Sequence, residues 1–177
     1  MRRGGVAYVP LDVFAPGLAR LVAIRARLGL RSSAHTLAKL VDPFGGGAVR
    51  VVGVTHPDYL VRMREVLAAT GADAMLLRGT EGEPYANPKR QPRLEMFARG
   101  EPARVVEPEE GTLAALPALP EASDAVTTAQ WTADALSGSH AVPAPIVVQL
   151  SCLLEAAQAP RRAPGARRRT AADRASR

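Results

Sequence analysis

The chain reads as an α/β fold, and three stretches carry that reading. AVRVVGV at 48–54 is an apolar, β-branched run of the kind that forms a buried strand. Pro57 then opens a stretch with Leu60, Met63 and Leu67 at helical spacing and Asp58 in its first turn, and Gly71 closes it. DAMLLRG at 73–79 supplies a second apolar run. Two short strands bracketing one helix predict a strand-helix-strand unit over 48–79, paired in parallel through a right-handed crossover.

The elements on either side follow from periodicity and punctuation. Ahead of the unit, Leu18, Leu21, Val22 and Leu28 recur at helical spacing, so one helix is expected over 17–28, stopped by Gly29. Ser32 and Ser33 suit the start of a second helix through 34–41, ended by Asp42-Pro43 because the residue before proline avoids helical angles. After a loop through Pro92, RLEMFARG and ARVVEP suggest an antiparallel hairpin or β-arm with Glu101-Pro102 between its strands. Residues 107–124 are rich in proline, alanine and glutamate and read as an irregular connection. Helices are expected over about 125–137, closed by Gly138, and from Pro145 onward, with Ile146, Val147, Leu150, Leu153 and Leu154 as one apolar stripe. The tail APRRAPGARRRTAADRASR has no apolar periodicity to offset its ordering entropy. The expected organisation is therefore one domain over 1–158 and a disordered basic tail over 159–177.

Composition narrows the class of protein. With 177 residues, 47% of them hydrophobic, the chain can bury one core. No apolar run approaches the ~20 residues needed to cross a bilayer, and MRRGG is not followed by an apolar signal core, so a cytoplasmic protein without a membrane partner is expected. Cys152 is the only cysteine, which excludes an internal disulfide and a thiolate metal cluster. The net charge of +6 is unevenly spread. Residues 1–100 hold 15 Lys or Arg against 8 Asp or Glu, residues 101–160 hold 1 against 8, and residues 161–177 hold 7 against 1. A basic first half suits a polyanion partner. Equally, the acidic and basic segments can lie against each other and cancel.

Among candidate sites, the loop RGTEGEPYANPKRQPR at 78–93 stands out. Lys89, Arg90 and Arg93 fall within five residues, and Tyr85, Pro88 and Pro92 add one stacking ring on a stiffened backbone. Cations neutralise phosphates and release counterions, while an aromatic plane stacks on an exposed base. Arg20, Arg25, Arg27, Arg31 and Lys39 form a second basic group upstream. The remaining motifs favour plain structural roles. Gly45–Gly47 precede a strand instead of opening a helix, so they suit a tight turn better than a phosphate cradle. His35, His56 and His140 lack the paired spacing of a metal site, and His35, three residues after Ser32, suits packing or capping. Glu81 and Glu83 resemble a carboxylate pair for Mg²⁺ but suit a solvated turn. No spacing proposes a catalytic triad, so catalytic residues stay unknown, and no metal or other cofactor is expected.

The most specific pieces, RARLGLRSSAHTLAKLVDPF at 25–44 and GTEGEPYANPKRQPR at 79–93, resemble the anthranilate phosphoribosyltransferase-like family, also called glycosyltransferase family 3. The likeness spans roughly Tyr8 to Leu154. It implies part of a nucleoside phosphorylase/phosphoribosyltransferase-type α/β domain, its C-terminal portion only, because the family's glycine-rich phosphate loop and helical dimerisation domain would precede Met1. In the biosynthetic enzymes a His-Pro pair and a later arginine help hold the acceptor. Here Pro16 and Arg25 match, but Ala15 stands at the histidine position. The enzymes' Gly-Pro appears as Ala38-Lys39, and their Mg²⁺-holding Asp-Glu pair falls on Pro84 and Tyr85.

These departures are similar to the YbiB-type branch of the family, which implies binding of single-stranded DNA or RNA, usually as a dimer, in place of catalysis. The implied contacts are Arg25, Arg27, Arg31, Lys39, Lys89, Arg90 and Arg93 to phosphate, with Tyr85 stacking. The alternative implied by the same resemblance is a glycosyl- or phosphoribosyltransferase acting with a separate N-terminal half, Arg25 holding the acceptor. A third is a remnant that only pairs with another chain.

Overall fold

The computed structural model describes residues 8–30, 32–45, 47–79, 83–115, 118–120, 122 and 124–159. The basic tail, together with Arg31, Gly46 and Glu81 among the residues singled out above, lies outside the described residues. The chain divides into two compact units, Met1–Gly45 and Gly46–Arg177.

The first unit is helical. Helix α1 spans Leu11–Phe14 and α2 spans Pro16–Ala23, with Pro16 at the first helical position where its missing N–H costs nothing. Helix α3 is Arg25–Leu28. The single helix expected over 17–28 is thus two: Ile24 keeps right-handed helical angles but falls between the hydrogen-bonded segments. Gly29 does stop the run, at φ 69°, where an L side chain is strained. Helix α4, Ser33–Ala38, starts at Ser32 through a reciprocal capping box with His35, whose Nδ1 lies 3.3 Å from the Ser32 amide. It ends at Ala38, earlier than the Asp42-Pro43 stop expected. The amides of Lys39 and Leu40 donate to the carbonyls of Thr36 and Leu37, three residues back, which tightens the last turn and closes the helix. Ala34 is the one buried residue among the described residues of this unit.

The second unit is built on a four-stranded sheet ordered β1-β2-β3-β4, with β1 at Arg50–Val54, β2 at Ala74–Arg78, β3 at Leu94–Ala98 and β4 at Glu101–Val106. β1 and β2 pair in parallel, joined by helix α5 at Pro57–Thr70, which Gly71 closes at φ 62°. The expected strand-helix-strand unit is present. β3 adds antiparallel to β2 and β4 antiparallel to β3, so the sheet is mixed.

Strand alternation explains the layers. Met75, Leu77, Leu94 and Met96 share one face and form a core cluster with Cys152 of helix α7, Ala144–Gln158. Leu76 and Glu95, cross-strand neighbours on the opposite face, lie on the side of α5, whose buried residues are Met63 and Leu67. Helix α6, Ala125–Leu136, is capped by Asp124, whose carboxylate accepts from the amides of Val126 at 3.0 Å and Thr127 at 2.9 Å.

Two expectations are corrected here. The hairpin turns at Arg99-Gly100, both at positive φ, and Glu101-Pro102 belongs to β4. Two left-handed residues give a two-residue turn whose twist matches the strands. Pro102 is tolerated because β4 is the sheet edge, and the register slips past Ala103 as a bulge. In α7 the buried face is Pro145, Gln149 and Cys152, with Val148, Leu153 and Ala156 packed beside them, while Val147, Leu150 and Leu154 of the expected stripe are exposed. A helix apolar all round leaves the choice of buried face to its neighbours. Among the described residues no helix is long and apolar enough to cross a membrane.

Candidate functional site

The loop between β2 and β3 owes its shape to one buried amide. Gln149, only 6% exposed on α7, accepts from the Ala86 N–H at 2.8 Å and donates Nε2 to the Pro84 carbonyl at 2.9 Å. The buried Ala86 N–H and the half-buried Pro84 carbonyl are thereby both satisfied. From this anchor the chain enters a turn: the Asn87 side chain accepts from the Lys89 amide at 2.9 Å, and its carbonyl accepts from the Arg90 amide at 3.2 Å. Asn at the first position and Pro88 at the second are the residues such a turn prefers. The turn presents Lys89 and Arg90 to solvent, and among the described residues no carboxylate forms an ion pair with either. Tyr85, 43% exposed, stands just before it.

Arg93 is in a different environment. Its guanidinium pairs with Glu107 and lies 3.3 Å from Glu95. Glu95 also takes two hydrogen bonds from Arg64, at 2.7 and 2.6 Å. The bidentate Arg64 fork holds the Glu95 carboxyl below its ordinary range despite the opposing cost of burial, and Arg93 adds to that effect. The irregular segment after β4 runs beside the loop, since Leu113 donates its N–H to the Lys89 carbonyl at 2.9 Å and Glu109 to that of Gln91 at 3.2 Å. Acidic and basic segments therefore do meet, at Arg93, while the turn ahead of it keeps its charge.

Upstream, Arg25 and Arg27 are exposed on α3, Arg20 is exposed on α2, and Lys39 is half-buried just after α4. These four belong to the first unit, and Tyr85, Lys89, Arg90 and Arg93 to the second. Where the resemblance puts metal-holding carboxylates, Pro84 offers a carbonyl already occupied by Gln149 and Tyr85 offers a phenol. That donor set does not suit a hard divalent cation. His140 stacks on Trp131 and lies 3.9 Å from Asp134, and among the described residues no group of three or more His, Cys, Asp and Glu could hold a metal.

Reading the sequence missed Gln149, Asn87 and the Arg64–Glu95 pair. A lone glutamine inside PIVVQLSCLL and an Asn-Pro ahead of Lys89 were the available signals. Nothing in sequence links Arg64 to Glu95, 31 residues apart.

No family model matches the chain. It is 43% identical over 150 residues to YbiB, an uncharacterized protein of Escherichia coli strain K12, covering 84% of this chain and 46% of that protein. Anthranilate phosphoribosyltransferase of Thermus thermophilus is 33% identical over 75 residues, 42% of this chain and 22% of the enzyme. The enzyme of the same name from Synechococcus sp. strain CC9902 is 33% identical over 116 residues, 64% of this chain and 33% of the enzyme. The chain spans less than half the length of these relatives.

Proposed function

Because the chain is homologous to YbiB and, more weakly, to anthranilate phosphoribosyltransferases, we propose that it is a segment of a YbiB-like protein that binds single-stranded nucleic acid and has lost transferase chemistry. The observation that carries this reading is the Lys89-Arg90 turn, two exposed cations that form no ion pair with a carboxylate among the described residues, on a backbone fixed by Gln149 and Asn87. Such a turn meets phosphates at little entropic cost, and Tyr85 beside it is a sequence-tolerant stacking surface. Lys39, Arg25 and Arg27 are further candidate phosphate contacts within the first unit. Arg93, already paired with two carboxylates, serves mainly to hold the end of the loop.

Filter binding of single-stranded oligonucleotides across a salt series tests the reading. Affinity should fall steeply with salt, and the Lys89→Glu, Arg90→Glu double variant should lower it at least tenfold and flatten the logarithmic salt slope by about 1.4, at about 0.7 per lost phosphate contact. Arg93→Ala should cost much less. Affinity indifferent to salt, or unchanged in the double variant, refutes the proposal.

The similarity to the biosynthetic enzymes supports a second reading, a phosphoribosyltransferase segment in which Arg25 holds the acceptor. Pyrophosphate release from phosphoribosyl pyrophosphate and an aromatic acceptor, lost in Arg25→Ala, would favour it over the first.

A further inference from the structure

The first unit has almost no core of its own. Ala34 is its one buried residue among the described residues, while ten of the twenty-two large hydrophobic residues exposed there and in the second unit belong to it. Three of those ten form a stripe. Leu21, Ile24 and Leu28, spaced three and four apart, are 52, 41 and 66% exposed. They run down one side of α2 and α3, because Ile24 keeps helical angles between the two segments. Leu18, Ala19 and Val22 are half-buried on another side, so the stripe is not the face this run already uses for packing.

Cations flank the stripe on both sides. At about 100° of turn per residue, Arg20 and Arg27 fall on one margin and Arg25 on the other. All three are exposed, and among the described residues no carboxylate forms an ion pair with any of them. The surplus extends to the whole unit, since residues 1–45 hold seven Lys or Arg against only two carboxylates, Asp12 and Asp42. A phosphate backbone uses such cations but has no use for three aliphatic side chains between them. Those side chains cost free energy in water and call for an apolar cover.

We propose that this face docks an acidic amphipathic helix of another polypeptide, its apolar stripe laid over Leu21, Ile24 and Leu28 and its flanking carboxylates meeting Arg20, Arg25 and Arg27. The three-and-four spacing is that of the anchors by which one helix packs along another. A second copy of this chain is a poor occupant, because two such faces set together bring cation against cation. An anionic bilayer takes a wide apolar arc, whereas this one is a single row over two short helices.

The probe is a synthetic peptide of about five helical turns, with leucine at three-and-four spacing and glutamate on both flanks, titrated calorimetrically into the full chain. Its counterpart carries lysine in place of every glutamate. The expected result is saturable one-to-one binding of the glutamate peptide, with the lysine peptide at least tenfold weaker. Ile24→Ser with Leu28→Ser, and separately Arg20→Glu with Arg27→Glu, should each weaken the glutamate peptide at least tenfold. All four side chains are exposed, so the far-ultraviolet circular dichroism of both variants should match wild type. The serine pair should leave oligonucleotide affinity intact, and the Lys89→Glu, Arg90→Glu variant should bind the peptide normally, which separates this proposal from the nucleic-acid reading. No saturable binding, equal affinity for the two peptides, or full affinity in the serine pair overturns the proposal. So does binding to phosphatidylglycerol vesicles, or a dimer in sedimentation, that the serine pair abolishes, since either result gives the face to a different occupant.

Discussion

Glu95 is nearly buried, and its charge is tolerated because Arg64 satisfies both oxygens. Replacing Arg64 with Met leaves that carboxylate with only the more distant Arg93, and stability should fall by about 1–3 kcal/mol, read from the urea midpoint. The depressed pKa sets the sign of the pH response. A lowered folded value means that the stabilisation is complete above the ordinary carboxyl value of 4.5 and is lost as pH falls below it through the folded value. The wild-type midpoint should therefore drop on acidification below about 4.5, and less so in Glu95→Gln. Gly100 has the opposite character, since its role is to lack a side chain. A Cβ there would lie 2.7 Å from the Ala68 carbonyl oxygen at φ +82°, so Gly100→Ala should cost about 2 kcal/mol or more. Its neighbour should respond inversely. Arg99→Gly relieves a left-handed arginine and should raise stability by about 1 kcal/mol.

Among the elements, α7 connects the core to the loop. Cys152 packs under the sheet while Gln149, one turn earlier, secures residues 84–86. Gln149→Leu keeps the volume but orphans the buried Ala86 N–H, at an expected cost of about 2 kcal/mol, and should weaken oligonucleotide binding by loosening the Lys89-Arg90 turn. The outer face of the same helix behaves differently. Leu150→Ser should change stability by no more than about 0.5 kcal/mol because Leu150 is half-exposed, whereas Leu153→Ser should cost well over 1 kcal/mol. This contrast checks which stripe is buried. Four of the expected elements were legible because each carries its own punctuation: Gly29 after α3, Ser32 before α4, Pro57 and Gly71 around α5, and Gly138 after α6. The hairpin was legible as a pair of strands, but its turn was misplaced, since Pro102 reads as a breaker unless the strand is known to lie at an edge.

At the scale of the molecule, homology relates the chain to YbiB and, more weakly, to anthranilate phosphoribosyltransferases, and the proposed polyanion partner rests on the charge pattern. The uneven distribution of 15 cations against 8 carboxylates over residues 1–100 was visible at once, yet it could not say which cations are spent internally. Arg64 and Arg93 are paired with Glu95 and Glu107, while Lys89 and Arg90 form no ion pair among the described residues. If that division governs binding, the double charge reversal at 89 and 90 should flatten the salt dependence of oligonucleotide affinity more than Arg93→Ala does. The amino-acid sequence by itself determined the strand-helix-strand unit, the helix boundaries marked by glycine, serine and proline, and the presence of a basic loop, because those depend on local backbone preference and short-range periodicity. Only the tertiary structure decided which face of an all-apolar helix is buried and which arginines pair with carboxylates. Those outcomes rest on contacts between residues tens of positions apart, whose energies no local pattern encodes.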